Sequence, residues 1–310
     1  MSASQRRIIL VTRRTRLEDL VIRLNTVEQA RFYVEHMGAD FSDYETEQRQ
    51  YHAAVASTSE LLSLHGRVQR LERKLLPNFL FPPDALVVVV GQDGLVANTL
   101  KYLQGQPVIG VNPDPARWDG VLLPFGVGDL AMIVPEALQG KRPSRSISMA
   151  QVRLSDGQTL HAVNDLFIGP RSHVSARYLI ELAARRETHS SSGIIVSTGL
   201  GSTGWFRSLL TGALALTGAA DEELQQLREN GFPWEARMLY FTVREPFPSR
   251  SSQAELVFGR IEANQQLRLV SQMPDYGVIF SDGLEQDFLA FNSGMEAQIS
   301  VAERQGVLVQ

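Results

Sequence analysis

A short turn holds the carboxylate best placed to do chemistry. The turn Gly91-Gln92-Asp93-Gly94 follows an apolar run, residues 85–90, and leads into a helical pattern over about residues 95–103. Glycines allow a ligand to approach the backbone closely, and the unpaired N–H groups of a helix start bind phosphate. A carboxylate between them can accept the proton of a hydroxyl that attacks a phosphoryl group. Asp and Gly are also common turn formers, so Asp93 could instead only cap the helix.

Two later segments carry groups that suit a nucleotide. Asn164 and Asp165 are adjacent, and an amide beside a carboxylate can hold the two hydroxyls of a ribose; a β-bulge or turn is the alternative. Residues 197–205 (STGLGSTGW) offer hydroxyls, small residues and a helix start, which favour anion binding. Trp205 could stack on a base or a nicotinamide ring, or lie in the core. No lysine follows these glycines, so the segment is not a Walker P-loop, and the Rossmann G-x-G-x-x-G pattern is absent after Val90.

The first part of the chain predicts an α/β domain that places the Asp93 turn at a sheet edge. The run 85–90 is typical of a strand buried on both faces of a parallel sheet. With the turn, the helix and a further strand at residues 107–111, it forms a βαβ unit. Ligands of open α/β sheets bind at the carboxyl ends of the strands. We therefore expect a Rossmann-like α/β domain over residues 1–123.

The second part predicts mostly antiparallel β-structure. Strand-like runs, among them residues 159–168, alternate with Asp-Gly turns, which indicates hairpins. A helix from about residue 203 to 216 interrupts the pattern. We expect a β-rich domain over residues 124–302 and a C-terminal tail, about residues 303–310, that packs back on the first domain.

Composition excludes several classes of site. The chain has 310 residues, 44% of them hydrophobic and 21% charged, the balance of a globular protein. It contains no cysteine, which excludes disulfides, thiolate metal sites and a cysteine nucleophile. A net charge of −4 provides no general attraction to nucleic acid or membranes, and no apolar run is long enough to span a bilayer. The polar N-terminus lacks a signal-peptide pattern, so we expect a cytoplasmic protein.

Taken in order, the three segments resemble the NAD kinase family, within the diacylglycerol-kinase-like superfamily. That family carries a Gly-Gly-Asp-Gly turn after a buried strand, then an Asn-Glu pair, then a segment rich in Ser, Thr and Gly. Further runs look like the mitochondrial type of NAD kinase: residues 11–16 (VTRRTR), 108–117 (VIGVNPDPAR), 162–169 and 239–250 (LYFTVREPFPSR). The resemblance covers most of the chain and implies an N-terminal Rossmann-like α/β domain followed by a mostly antiparallel β-domain.

The resemblance also implies an activity, the ATP-dependent phosphorylation of the 2′-hydroxyl of the adenosine ribose of NAD to give NADP. Asp93 would be the base, and Gly91 and Gly94 would shape the phosphate-binding turn. The residues expected to line the nucleotide sites are Asn112, Asp114, Arg117, Asn164, Asp165, Ser202, Thr203 and Trp205. Mg²⁺ would accompany ATP, no nucleic acid or membrane would be involved, and the family implies a homodimer.

Among the departures from the family pattern, two keep alternatives open. Gln92 replaces the second glycine of the turn, where a side chain could force a different backbone path, and Leu95 replaces a threonine. The alternatives are a related kinase that acts on a sugar or lipid hydroxyl, and a nucleotide-binding protein that has lost catalysis. The donor could be ATP or polyphosphate. Arg244 is interpreted as part of a structural ion pair, and Asp282 as an ordinary hairpin residue.

Overall fold

Two compact units make up the chain. The computed structural model describes residues 7–218, 221–284 and 287–310. One unit comprises Met1–Arg145 with Val307–Gln310, and the other Ser146–Gly306. The boundary between residues 123 and 124 stays a prediction from the sequence.

A parallel sheet forms the centre of the first unit. Its strands are β1 (Arg7–Thr12), β2 (Arg67–Glu72), β3 (Leu86–Val90) and β4 (Pro107–Val111), in the order β2-β1-β3-β4. All five residues of β3 are buried, as its continuous apolar sequence predicts. Residues 307 and 308 add a further parallel strand beside β4. The parallel order places the ends of β1, β2 and β3 at one edge of the sheet.

Five helices accompany the sheet in the described part of this unit. They are α1 (Arg16–Leu24), α2 (Val27–His36), α3 (Phe41–Ser63), α4 (Asp93–Leu100) and α5 (Leu130–Leu138). The side chains of Thr15, Thr26 and Asp40 cap the first three by accepting backbone N–H groups of the first turn. Tyr51 and Val55 of α3 pack into the core against the strands. A 3₁₀ turn, Val127–Asp129, leads directly into α5.

The second unit consists mainly of antiparallel strands. They are β5 (Ser144–Leu154), β6 (Thr159–Ala162), β7 (Asp165–Pro170), β8 (Ala176–Leu182), β9 (Arg185–Ser191), β10 (Ile194–Ser197), β11 (Met238–Val243), β12 (Phe258–Glu262), β13 (Leu267–Ser271), β14 (Gly277–Ser281), β15 (Phe288–Ala290) and β16 (Glu296–Val309). One sheet has the order β12-β11-β10-β7-β14-β15. Its apolar side chains share a core with those of β5, β8, β13 and β16. Helices α6 (Trp205–Thr217) and α7 (Glu222–Asn230) follow β10.

One predicted strand is divided in two. Residues 159–168 were predicted as a strand-like run, with a β-bulge or turn at Asn164 and Asp165 as the alternative. The structure has the break: β6 pairs with β5, while β7 pairs with β10 and β14. The break falls at Val163 and Asn164, whose backbone N–H groups donate to the Asp282 carboxylate. A side chain from elsewhere in the unit thus ends one strand and starts the next.

The predicted fold class is confirmed: a mostly parallel α/β unit and an antiparallel β unit. Among the described residues, no helix combines the length and apolar character needed to cross a bilayer.

Candidate functional site

The Asp93 turn adopts an ordinary extended-to-helical path. Gln92 is the N-cap residue of α4, with φ −121° and ψ 163°. Since this conformation is open to any residue, Gln92 does not divert the backbone of the turn. The Gly91 N–H donates to the carbonyl of Val111 (3.2 Å), which links the turn to the end of β4. The turn therefore leads directly from β3 into α4 with Asp93 as the first helical residue.

Leu95 occupies the space that a side chain at residue 91 would need. A Cβ added to Gly91 would lie 2.8 Å from Leu95 Cδ2, closer than carbon atoms pack. Leu95 itself is buried. The absence of a side chain at Gly91 therefore leaves the space that Leu95 fills. The turn thus holds a leucine at residue 95 without steric conflict.

The Asp93 carboxylate is held by the loop that follows β4. Oδ1 accepts the N–H of Leu122 at 2.7 Å, and Oδ2 accepts the N–H of Val121 at 3.3 Å. The side chain thus bonds to a neighbouring loop, whereas a helix cap would bond to its own first turn. A carboxylate has about four acceptor positions, so an oriented Asp93 keeps capacity for another donor.

The predicted residues Asn112, Asp114 and Arg117 organise that loop. Asn112 Nδ2 donates to the Trp118 carbonyl (2.8 Å), and its Oδ1 accepts the Asp114 N–H (3.0 Å). The Arg117 guanidinium pairs with Asp114 (3.5 Å) and with Asp43. Their contact with a nucleotide stays a prediction; in the structure they fix the segment between β4 and the Asp93 partners.

The two predicted nucleotide segments of the second unit lie side by side. Asp165 pairs with Ser197 across β7 and β10. The Asn164 carbonyl accepts both the N–H (2.9 Å) and the Oγ1 hydroxyl (3.1 Å) of Thr198. A Cβ added to Gly201 would lie 2.1 Å from the same carbonyl oxygen. Close backbone approach at Gly201 therefore brings the glycine-rich turn onto the Asn164-Asp165 segment.

Asp282 supports this arrangement from a third segment. Its carboxylate accepts the backbone N–H groups of Val163 (3.1 Å), Asn164 (2.7 Å) and Asp165 (3.3 Å). Asp282 has φ +55°, a left-handed conformation that Asp tolerates better than most residues. It satisfies backbone donors that the strand break would otherwise leave unpaired.

The Asp165 carboxylate differs from that of Asp282 in the hydrogen bonds that it receives. It is buried, and among the described residues no donor bonds to its carboxylate. Burial, and secondarily the nearby charge of Asp282, raise the pKa of Asp165 to about 7. A hydroxyl donor placed against this carboxylate would relieve the cost of its charge. The geometry thus suits a ligand that carries hydroxyl groups.

Ser202 and Thr203 occupy different environments. The Ser202 hydroxyl is buried; it donates to the Gly199 carbonyl (2.7 Å) and accepts the Phe232 N–H (3.2 Å). These bonds hold the turn together. Thr203, one residue later, is exposed. A direct role for either in binding a dinucleotide stays a prediction.

Trp205 lies at an aromatic cavity within the second unit. Its ring stacks on Phe167, with centroids 5.7 Å apart and planes 8° from parallel. The Arg244 guanidinium lies 5.4 Å from the Trp205 ring centroid. With Phe280 and Phe288, these side chains line a cavity of about 200 Å³. A flat aromatic group would find apolar surface and a cation there.

The interpretation of Arg244 as part of an ion pair is wrong. In the part of the chain that the structure describes, no carboxylate pairs with it, and its buried Nε has no hydrogen-bond partner. The guanidinium instead lies over Phe167 and Trp205.

Comparisons with solved structures identify the architecture. No protein-family model matches the sequence, and no curated protein matches it. The structure is similar to that of an NAD kinase from Archaeoglobus fulgidus in complex with ATP, with a TM-score of 0.54, 16% identity, and coverage of 98% of this chain and 93% of that one. It is also similar to yeast NADH kinase complexed with NADH, with a TM-score of 0.55, 13% identity, and coverage of 99% and 84%.

The chain has the NAD kinase fold. Both alignments span nearly all of it, so the likeness includes the α/β unit and the β unit. At these identities the likeness concerns the fold, and the chemistry is argued from the residues above.

Within the NAD kinase fold, sequence reasoning missed two residues of the site. The Asp282-Gly283 pair was interpreted as a simple hairpin turn, although an Asp at a turn is well suited to accept several backbone N–H groups. Arg244 had no such signal, because nothing in its local sequence indicates the rings that surround it.

Proposed function

We propose that the protein transfers the terminal phosphoryl group of ATP to the 2′-hydroxyl of the adenosine ribose of NAD, giving NADP and ADP. The observation that carries the proposal is the bonding of Thr198 to the Asn164 carbonyl, which unites the two nucleotide segments found in the sequence. The fold is that of two kinases that were solved with ATP and with NADH.

Asp93 acts as the base in this reaction. The 2′-oxygen of the ribose forms a bond to the γ-phosphorus of ATP, and the bond from that phosphorus to the β,γ-bridging oxygen breaks with its electron pair leaving on ADP. The hydroxyl proton passes to the Asp93 carboxylate. The hydrogen bonds from Val121 and Leu122 hold that carboxylate in one orientation, which supports catalysis by positioning.

Asn164 and Asp165 bind hydroxyl groups of NAD. The Asp165 carboxylate has no protein donor in the described residues, so ribose hydroxyls supply the bonds that it lacks. Trp205 stacks on a ring of the dinucleotide. Because the pKa of Asp165 is about 7, we expect NAD affinity to rise as pH increases through neutrality and the carboxylate becomes ionised.

Mg²⁺ enters with the triphosphate in this proposal. Among the described residues, no three His, Cys, Asp or Glu side chains cluster to hold a metal, and Mg²⁺ on phosphate and water oxygens needs only one or two carboxylates. The ion would be held mainly by phosphate and water oxygens, which leaves the Asp93 carboxylate available as the base. The ion would neutralise charge on the phosphate oxygens. The homodimer and the cytoplasmic location stay predictions.

One assay tests the function. Purified protein is incubated with ATP, Mg²⁺ and NAD, and NADP is measured with an NADP-specific dehydrogenase. We expect wild-type protein to form NADP and Asp93→Asn to lose at least about a thousandfold in kcat, since the amide cannot take up the proton but retains one oxygen for the Leu122 N–H. Asp129→Asn is the matched control, because its carboxylate also accepts a backbone N–H, from Gly126 at 2.8 Å, at the start of α5.

Three results would contradict the proposal. NADP formation by Asp93→Asn at the wild-type rate would show that Asp93 is not the base. Turnover only with a sugar or lipid hydroxyl would assign a different acceptor. Tight NAD binding without any turnover would identify a binding protein.

A further inference from the structure

A buried carboxylate on α3 faces three arginines. The side chain of Glu47 is only 5% exposed. Its Oε1 accepts a hydrogen bond from Arg13 at 3.0 Å, and its Oε2 accepts one from Arg16. The Arg117 guanidinium lies 3.8 Å from the same Oε2. Burial alone would raise the pKa of Glu47, but the hydrogen bonds from Arg16 and Arg13 outweigh burial and lower this pKa. Glu47 is therefore an ionised interior group that its cations stabilise.

A second carboxylate, Asp43, joins the same arginines to α3. Asp43 lies one helical turn before Glu47, so both project from one face of the helix. The Asp43 carboxylate accepts from Arg16 at 2.8 Å and from Arg117. Arg13 follows β1, Arg16 begins α1, and Arg117 lies in the loop after β4. Of the three, only Arg117 belongs to the loop whose N–H groups hold the proposed base.

That loop is fixed at two places. Near one end, Leu122 is buried against β4, where a Cβ added to Gly110 would lie 1.9 Å from the Leu122 carbonyl oxygen. Near the other end, Arg117 is held by the carboxylates of α3. The stretch between them is exposed at Val121, to 63%, and turns at Gly120 with φ +65°. The positions of the N–H groups of residues 121 and 122 therefore depend on both attachments.

We infer that Glu47 is a positioning residue for the Asp93 carboxylate and acts through Arg117. The ion pairs hold the Arg117 end of the loop on α3, and the loop presents the N–H groups of Val121 and Leu122 to the carboxylate. A misplacement of about 1 Å can cost a catalytic group about a hundredfold in rate. Because the attachment at Leu122 remains, we expect about tenfold. The inference rests on the proposed function only in taking Asp93 as the base.

Hydrogen exchange of the full-length protein without nucleotides tests the link directly. Glu47→Gln keeps the shape of the side chain and removes the charge that faces the arginines. We expect the amides of Val121 and Leu122 to exchange about tenfold faster than in wild type, while those of β3 stay unchanged. Glu45→Gln, on the same helix, is the matched control because Glu45 pairs with Arg31 of α2 at 2.9 Å. It should leave exchange in the loop unchanged.

A second variant removes the link from the loop side. In Arg117→Gln, Glu47 keeps Arg13 and Arg16 as partners, so the buried charge stays paired and the fold is retained. We expect the same two amides to exchange faster by a similar factor. Adding Glu47→Gln to Arg117→Gln should cause no further increase, because both substitutions remove one contact.

Steady-state kinetics separate a positioning role from a general loss of structure. Under the proposed function, Glu47→Gln should lower kcat about tenfold and leave KM for NAD within about twofold of wild type. In an Asp93→Asn background it should lower kcat no further, because the group that it positions is gone. Glu45→Gln should leave both constants unchanged. Thermal unfolding of each variant establishes that the protein is folded.

The outcomes separate this inference from the proposed function. Unchanged exchange at Val121 and Leu122 in both Glu47→Gln and Arg117→Gln overturns the inference, even if wild-type protein forms NADP. Faster exchange with an unchanged kcat also overturns it, since the link would then not reach the base. A further loss of kcat when Glu47→Gln is added to Asp93→Asn would assign a structural role instead. If wild type forms no NADP, the proposed function fails, and the exchange measurements still decide whether Glu47 holds the loop.

Discussion

In each unit a carboxylate accepts backbone N–H groups, but the hydrogen bonds hold different parts of the two units in place. In the first unit, Asp93 is itself the acceptor of the bonds from Val121 and Leu122. In the second, Asp282 accepts the N–H groups of residues 163–165, while the neighbouring Asp165 carboxylate receives no donor from the described residues. In the first unit, backbone N–H groups orient the Asp93 carboxylate directly. In the second unit, Asp282 orients the backbone that carries Asn164 and Asp165.

The difference has an energetic consequence. Hydrogen bonds from backbone N–H groups stabilise an ionised carboxylate, whereas burial without donors destabilises it. The raised pKa of Asp165, about 7, follows from burial and from the charge of Asp282. The second unit therefore holds a destabilising feature that a hydroxyl-bearing ligand can relieve, a pattern common at functional sites.

The largest expected effect comes from the contact that joins the two nucleotide segments. Gly201→Ala places a methyl group 2.1 Å from the Asn164 carbonyl oxygen, so the backbone must move. We expect a loss of about 4 kcal/mol in the free energy of unfolding, measured by denaturant titration. Gly212→Ala in α6, where a Cβ meets nothing within 4 Å, should instead gain up to about 1 kcal/mol from helix propensity. Equal effects of the two substitutions would contradict the close approach.

A smaller effect is expected from the supporting carboxylate. Asp282→Asn removes the charge and about half of the acceptor capacity, while Asn still tolerates the positive φ. All three N–H groups bond to Oδ1, which Asn can supply, so the substitution removes the charge and the second contact of Val163 with Oδ2. We expect a loss of about 2 kcal/mol. Asp156→Asn is the control, since this exposed turn residue accepts only the backbone and side-chain N–H groups of Gln158. A stability equal to that of wild type would show that the charge of Asp282 contributes nothing to the strand break.

Asp165→Asn should change how stability depends on pH. Because the pKa of Asp165 is raised in the folded protein to about 7, the protonated carboxyl favours folding at low pH, and wild type loses stability between about pH 4 and pH 7. The amide does not titrate. We expect the variant to match wild type near pH 4 and to exceed it at pH 9 by on the order of 2 kcal/mol in chemical unfolding.

Asp43→Asn supplies a control of the opposite sign. The Arg16 guanidinium, with Arg117 nearby, lowers the pKa of Asp43, so its contribution to stability is present at neutral pH and is lost as pH falls. This variant should be less stable than wild type at pH 7 and equal to it in acid. Parallel pH profiles for the two variants would refute the contrast between the carboxylates.

The smallest effect is expected at the turn itself. Gln92→Gly restores the residue of the family pattern, but Gln92 has an unstrained φ of −121°. Glycine therefore changes stability only by raising the conformational entropy of the unfolded chain. We expect a loss of about 0.5–1 kcal/mol in the free energy of unfolding. We expect kcat to stay within about twofold of wild type. A gain in stability, measured by the same denaturant titration, would show that the glutamine is strained.

Much of the fold was predictable from local patterns. The run 85–90 predicted a fully buried strand because every residue is apolar, and residues 86–90 form β3 with all side chains buried. The sequence left open a turn at Asn164 and Asp165 within residues 159–168, but it could not show the cause, which is a carboxylate more than a hundred residues away in the chain. Strand β9 has no apolar run in its sequence, RRETHSS, and its pairing with β8 decides its conformation.

The sequence by itself determined the order of the chemical groups: a turn with Asp93, an amide–carboxylate pair, and a glycine-rich turn before Trp205. Residue type and spacing suffice for this, since each segment is built from neighbours in the chain. Only the tertiary structure decided which carboxylate receives backbone donors and which does not, and which ring lies under Arg244. Burial, and with it the pKa of Asp165, depends on residues that fold against it from distant segments, and no local pattern encodes their distance.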